Sequence, residues 1–347
     1  MKTTHNIIFE DSAHMEAVPS DSVDLIVTSP PYPMIKMWDD MFCMQNSGIR
    51  TALKNNDGLK AFGLMHKTLE PIWNECYRVL KNGRFACINI ADATRTSGGN
   101  FQMYPNHSRV LNYLKKLGFD VLPDIVWHKQ NNAPNKFMGS GMLPAGAYVT
   151  LEHEYILIMR KGGKRLFQTA EEKQNRMKSA LFWEERNIFF SDIWTDIKGT
   201  GQNLENKKAR QRSGAYPFEV AYRLINMYSV KGDMVIDPFF GTGTTGAAAM
   251  VSGRNSMGYE IDPALGDVIF AVKENIPDFA NEYIKNRLER HIVFVKRRTR
   301  IKGKPKYINR HYGFPVMTKQ ETELVINELR NVKTAGENCF EVFCHTG

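Results

Sequence analysis

The chain has 347 residues, 42% hydrophobic and 24% charged, a balance that excludes a largely disordered protein and allows one large domain or two modest ones. The formal net charge of +9 favours polyanionic partners such as nucleic acid without demanding one. No apolar run approaches the ~18 residues of a membrane span, and Met1-Lys2-Thr3-Thr4-His5-Asn6 opens no signal-peptide core, so no membrane association and a cytoplasmic location are expected. Cys43, Cys76, Cys87, Cys339 and Cys344 form no zinc-type spacing; reduced thiols and no metal site follow.

In chain order, Ser22 to Val27 is a branched apolar run stopped by prolines, the pattern of a buried strand that ends in a loop. Leu64 to Leu80 carries apolar residues at helical spacing, Lys81-Asn82-Gly83 ends that helix, and Phe85 to Ile90 reads as the next strand. A helix from Ser108 to Leu117, a stop at Gly118 and a strand from Val121 to Trp127 repeat the rhythm. Between about 130 and 212 the rhythm breaks into polar, Gly-rich and basic sequence, with a strand at Tyr155 to Met159 and aromatics from Leu181 to Trp194 that read as a small core. Then come a helix from Glu219 to Tyr228, a strand from Met234 to Asp237, a Gly-rich turn, an Ala-rich helix and a strand from Asn255 to Glu260. A basic tail and a helix from Lys319 to Arg330 close the chain. The alternation predicts an α/β fold: a mostly parallel sheet with helices on both faces.

Gly241-Thr242-Gly243-Thr244-Thr245-Gly246 follows a strand and opens a helix, where glycines let the backbone approach a ligand. Glu260, 19 residues after Gly241 at the end of the next strand, is placed to accept hydrogen bonds from ribose hydroxyls. A P-loop is disfavoured because no Lys-Ser or Lys-Thr follows the glycines. A nicotinamide dinucleotide survives on spacing but lacks a substrate domain. S-adenosylmethionine carries no pyrophosphate, and Asp237 would receive its cationic amino group.

In Ser29-Pro30-Pro31-Tyr32, Pro31 forces Pro30 into an extended conformation and neither proline has an N–H. The Ser29 hydroxyl and the Pro30 carbonyl are two acceptors for the two hydrogens of an exocyclic amino group, and the Tyr32 ring can stack on a base. Such a nitrogen is a weak nucleophile because its lone pair is delocalised into the ring. Two acceptors that draw it towards tetrahedral geometry localise the pair, so catalysis is positioning and electrostatics.

With these motifs in this order, catalytic before cofactor, the chain resembles the permuted, beta-class DNA amino-methyltransferases of prokaryotic restriction–modification systems over most of residues 6–285. The resemblance implies an S-adenosylmethionine-dependent methyltransferase fold, with 1–130 and 212–290 as catalytic and cofactor-binding core, 131–211 as a target-recognition insert and 291–347 as a basic extension. It makes Ser29, Pro30, Pro31 and Tyr32 catalytic. Asp11, Ser12, Thr28, Tyr216, Asp237, Pro238, Phe239, Gly241, Thr242, Gly243, Thr244, Thr245 and Glu260 become cofactor contacts. Trp127 and Lys129 match an aromatic-x-Lys segment near the target base, and Lys161, Lys164, Arg165, Lys207, Lys208 and Arg210 are assigned to DNA. Arg212 to Phe218 lacks the histidine and first proline of the family's His-Pro-x-x-Phe-Pro element and keeps only Tyr216-Pro217. Ser-Pro-Pro-Tyr is the form associated with N4-cytosine methylation and Asp-Pro-Pro-Tyr the form for N6-adenine, so cytosine in double-stranded DNA is expected, with adenine as the alternative and a separately acting restriction endonuclease as companion. C5 methylation is a poor fit, because no Pro-Cys pair supplies its nucleophile. The reading of a different class is an idle DNA-binding protein that kept the fold.

Overall fold

The structure, a computed structural model, describes residues 1–129, 138–199 and 216–345. The first half contributes β1 (Lys2–Ile8), β2 (Val23–Thr28), β3 (Leu80–Ile90), β4 (Ala93–Ser97), β5 (Asn100–Tyr104), β6 (Phe119–Val121), β7 (Ile125–His128) and β8 (His153–Lys161). The second half adds β9 (Ile193–Trp194), β10 (Met234–Asp237), β11 (Asn255–Tyr259), β12 (Tyr307–Ile308), β13 (Pro315–Val316), β14 (Leu329–Gly336) and β15 (Cys339–Cys344). The main sheet runs β14-β15-β1-β11-β10-β2-β3-β8-β7-β9, with β6 also paired to β8.

Its centre, β1, β11, β10, β2 and β3, is parallel. Every residue of β2 is buried, as its branched apolar residues require of a strand covered on both faces, and Asp24 among them is paired with Lys81 and Arg84. Leu25 and Val27 pack on one side with Val235 and Ala248, while Ile26 packs on the other with Ile236 and Leu69. The helix Gly58–Val79 supplies that second layer through Ala61, Met65, Leu69, Ile72 and Cys76. It starts earlier than its apolar spacing predicts because the Asp57 side chain accepts from Lys60 N and caps it. The helix Asn106–Leu117 ends as expected at Gly118, whose φ of 104° is the left-handed cap glycine tolerates.

The structure refines the sequence reading at several points. The sheet is mixed: the five central strands are parallel and β7 pairs in parallel with β9, while β8 runs antiparallel to β3, β6 and β7 and β15 antiparallel to β1 and β14. Residues 131–211 are not wholly an insert: β8 lies within them, yet pairs along its length with β3, from Arg84↔Lys161 to Ile90↔Tyr155. Nor is 291–347 an appended tail. One helix, Gly266–Lys302, spans that boundary, and β15 pairs with β1 and buries Phe340, Val342 and Cys344. The helix expected over 319–330 is a single turn at Lys319–Glu321; residues 322–328 are irregular, and β14 begins at Leu329. Among the described residues no helix is long and apolar enough to cross a membrane.

Candidate functional site

The Ser29–Tyr32 segment leaves the carboxyl end of β2, and the Asp237–Gly243 segment leaves the carboxyl end of its neighbour β10. Parallel pairing therefore brings two motifs 209 residues apart into contact: Thr28 Oγ1 donates to Asp237 Oδ1 at 2.5 Å. The other Asp237 oxygen accepts from Thr245 Oγ1, and Oδ1 also accepts from Phe239 N at 3.0 Å. Burial pushes the Asp237 carboxyl up to about 6 against these hydrogen bonds.

Around Tyr32 lies a polar network that sequence reasoning missed. The Ser29 and Tyr32 hydroxyls are 2.8 Å apart, and Tyr32 donates to Glu154 Oε2 at 2.9 Å. Asn89 Nδ2 donates to both the Tyr32 oxygen (2.8 Å) and Glu154 Oε2 (2.6 Å), while Lys129 Nζ holds Glu154 Oε1 at 2.9 Å. Burial first, then the Glu154 charge, holds the Tyr32 phenol well above its ordinary value, so it is neutral and can donate. Asn89 and Glu154 are buried, Asn89 near the end of β3 and Glu154 near the start of the antiparallel β8. An acid and an amide inside otherwise apolar strands, Cys87-Ile88-Asn89-Ile90 and Glu154-Tyr155-Ile156-Leu157, were the available signal. Among the described residues no hydrogen bond ends on the Pro30 carbonyl, which leaves it free to accept.

The glycine loop is shaped by one ring. Gly241 and Gly243 adopt φ of 55° and 86°, which glycine permits at little cost. Gly246 and Gly258 are required instead by Phe240: a Cβ would fall 2.7 Å and 2.1 Å from its ring atoms. The third glycine of the motif thus makes room for a side chain, not for the backbone approach to a ligand that its spacing predicts. Glu260 sits across the loop, its Oε2 accepting from Gly241 N at 2.7 Å and its Oε1 from Asp262 N at 2.9 Å. Burial, opposed by these bonds, raises its carboxyl to about 7. Glu260 N donates to Ile8 O at 2.9 Å, so the loop after β1 with Asp11 and buried Ser12 emerges beside it. Asp11 Oδ1 accepts from Ala13 N, and buried Tyr216 bonds Thr245. Pro238, Phe239, Thr242 and Thr244 belong to the same turn and helix start. Among the described residues neither Asp237 nor Glu260 has a cationic partner. Two buried carboxylates lacking counter-ions, at adjacent strand ends, suit a group that brings an ammonium and ribose hydroxyls.

Several residues assigned to DNA lie elsewhere. Trp127 is fully buried, its indole N–H on the Ile197 carbonyl at 2.9 Å, and presents no ring face to a base. Lys161, Lys164 and Arg165 follow β8 to the opposite sheet edge from the motifs, because β8 is antiparallel to β3. There Lys161 Nζ is buried on Asp21, Tyr77 O and Leu80 O, and Arg165 forms a two-pronged pair with Asp233 at 2.5 and 3.0 Å. Both cations support the fold, and Lys164 is exposed on that far edge. Lys129 alone of the described group reaches the site. Lys207, Lys208 and Arg210 lie outside the described residues.

The family model described as "DNA methylase" matches residues 23–271. The type II methyltransferase M.MthZI of Methanothermobacter thermautotrophicus is 49% identical over 344 residues, covering 99% of this chain and 96% of its own. M.MjaI of Methanocaldococcus jannaschii is 47% identical over 278 residues, 77% of this chain and 90% of that protein. A Thermus thermophilus protein assigned as a DNA modification methylase, solved with S-adenosyl-L-methionine, superposes with a TM-score of 0.60 at 32% identity, covering 79% of this chain and 95% of that one. The cytosine-N4-specific PvuII DNA methyltransferase shares the fold at 16% identity and a TM-score of 0.54, over 80% and 92% of the two chains.

Proposed function

The chain belongs to the N6/N4 DNA methylase family, and from that premise we propose that it transfers the methyl group of S-adenosylmethionine to the exocyclic N4 of cytosine in double-stranded DNA. The observation that carries the proposal is the junction of the two motifs: the Thr28–Asp237 bond sets a base-gripping turn against a nucleoside-binding turn in one crevice. The cofactor, when bound, supplies an electrophilic methyl group on a sulfonium. Asp237 and Glu260 would hold its ammonium and ribose hydroxyls, with Asp11, Ser12 and the Gly241–Thr245 turn around them.

The protein's own residues do the rest. The Ser29 hydroxyl and the Pro30 carbonyl accept the two amino hydrogens of the target and localise the nitrogen lone pair. As the N–C bond forms and the S–C bond breaks, the nitrogen becomes cationic and sheds a proton. The chain Ser29–Tyr32–Glu154 offers that proton a route to a carboxylate, whose far oxygen is held by Lys129. A paired base cannot reach this crevice, so the nucleotide must leave the stack. Lys207, Lys208 and Arg210 stay assigned to phosphates in this reading. The names of the two archaeal relatives favour a role in protecting host DNA beside a separate type II restriction endonuclease.

The test is mass spectrometry of nucleosides from duplex DNA treated with the enzyme and cofactor, followed by mapping of the modified site. N4-methylcytosine is expected from the wild type and none from Tyr32→Ala. N6-methyladenine would overturn the choice of cytosine, which rests on Ser29, while leaving the chemistry of the crevice in place.

A further inference from the structure

The connection from β7 to β8 emerges at the sheet edge that carries Ser29 and Tyr32, because β8 begins beside the end of β3. Residues 138–151 of that connection contain no Asp, Glu, Lys or Arg. They are nevertheless ordered. Gly139 pairs with Ala147, Ser140 N donates to Gly146 O at 2.9 Å, and Ser140 Oγ donates to Leu143 O at 2.6 Å. Ala145 takes φ of 73° to close the turn, a conformation that a residue with a Cβ adopts reluctantly. The Tyr148 ring stacks on Phe101 of β5, centroids 4.5 Å apart, which ties the tip to the β4–β5 hairpin leaving the end of β3.

At the apex of this braced tip Met142 and Leu143 are 86% and 70% exposed. Leaving two such side chains in water forgoes the gain of burying them, and the tip offers phosphates no cation. Its chemistry suits the interior of a base stack. We propose that Met142 and Leu143 form a wedge that enters duplex DNA where the target nucleotide leaves it, filling the gap and offsetting lost stacking. This rests on the base-methylation reading above.

The experiment measures single-turnover methyl transfer to a duplex carrying the mapped site, once with the target base paired and once with an abasic position opposite it. The pair Met142→Ser and Leu143→Ser, both solvent-facing, is expected to lose about tenfold or more on the paired duplex and to recover to within about twofold on the abasic one, where unpairing no longer costs. The apolar exchange Met142→Leu with Leu143→Met keeps the paired rate. Equal loss of the serine variant on both duplexes, no loss on the paired duplex, or an equal loss in the apolar exchange overturns the wedge. Failure of the wild type on both duplexes would instead overturn the methylation reading itself.

Discussion

Glu260→Gln is expected to make the ligand-free protein more stable and the cofactor complex weaker. The Glu260 carboxyl is raised in the fold from 4.5 to about 7, so the folded state holds its proton more tightly than the unfolded chain. Below about pH 4.5 both states are protonated and the residue costs nothing. As pH rises through about 7 that relative stability is lost, and above it the cost of keeping a buried carboxylate ionised is constant at about 3 kcal/mol. Glutamine cannot ionise, so the variant gains up to about that amount at pH ~8 and nothing at pH ~4. Binding moves the other way. Losing charge-assisted bonds to the ribose hydroxyls costs about 1.5–3 kcal/mol, roughly tenfold to a hundredfold in affinity for S-adenosylmethionine. That advantage of the wild type should shrink about tenfold between pH ~8 and pH ~6, where only about a tenth of Glu260 is ionised. Isothermal titration of both proteins at the two pH values, read as a ratio, cancels the titration of the ligand, and urea unfolding of the ligand-free proteins gives the stability arm. An affinity ratio that ignores pH, or a variant less stable at pH ~8, refutes the reasoning.

Glu154→Gln should lower kcat by about a hundredfold, as loss of a proton acceptor does, while leaving the dissociation constant for S-adenosylmethionine unchanged in titration; loss of cofactor affinity would move Glu154 out of the base side of the crevice. Gly258→Ala should destabilise the fold by about 1–3 kcal/mol in urea unfolding because its methyl meets the Phe240 ring, and Phe240→Leu in the same chain should recover part of the loss. No recovery would mean that something other than the ring needs the glycine.

What was legible in the sequence was what local pattern controls. The strands β2 and β10 were readable because branched apolar runs stop at Thr28 and Asp237, and the motifs were readable because each follows such a stop. The Glu154 network was not, since Asn89 meets Tyr32 through the parallel pairing of β2 with β3 and Glu154 through the antiparallel pairing of β3 with β8, neither of which a local period encodes. Charge misled for a related reason. A lysine such as Lys161 reads as a phosphate contact until Asp21 and two carbonyls are seen to hold it inside, and composition does not tell a paired cation from a free one. The end of the chain misled because the turn at Lys319–Glu321 is held from a distance: the Asn309 side chain donates to the Glu321 and Leu324 carbonyls, contacts that no local spacing reveals.

On the far side of the same sheet β15 joins β14 to β1: Lys2 lies opposite Phe343, and Cys344 N donates to Met1 O at 2.9 Å. Distance along the chain is no guide to which strands meet. The crevice depends on β2 and β10 being neighbours, a relation set by sheet pairing and indifferent to the 209 residues that separate Thr28 from Asp237.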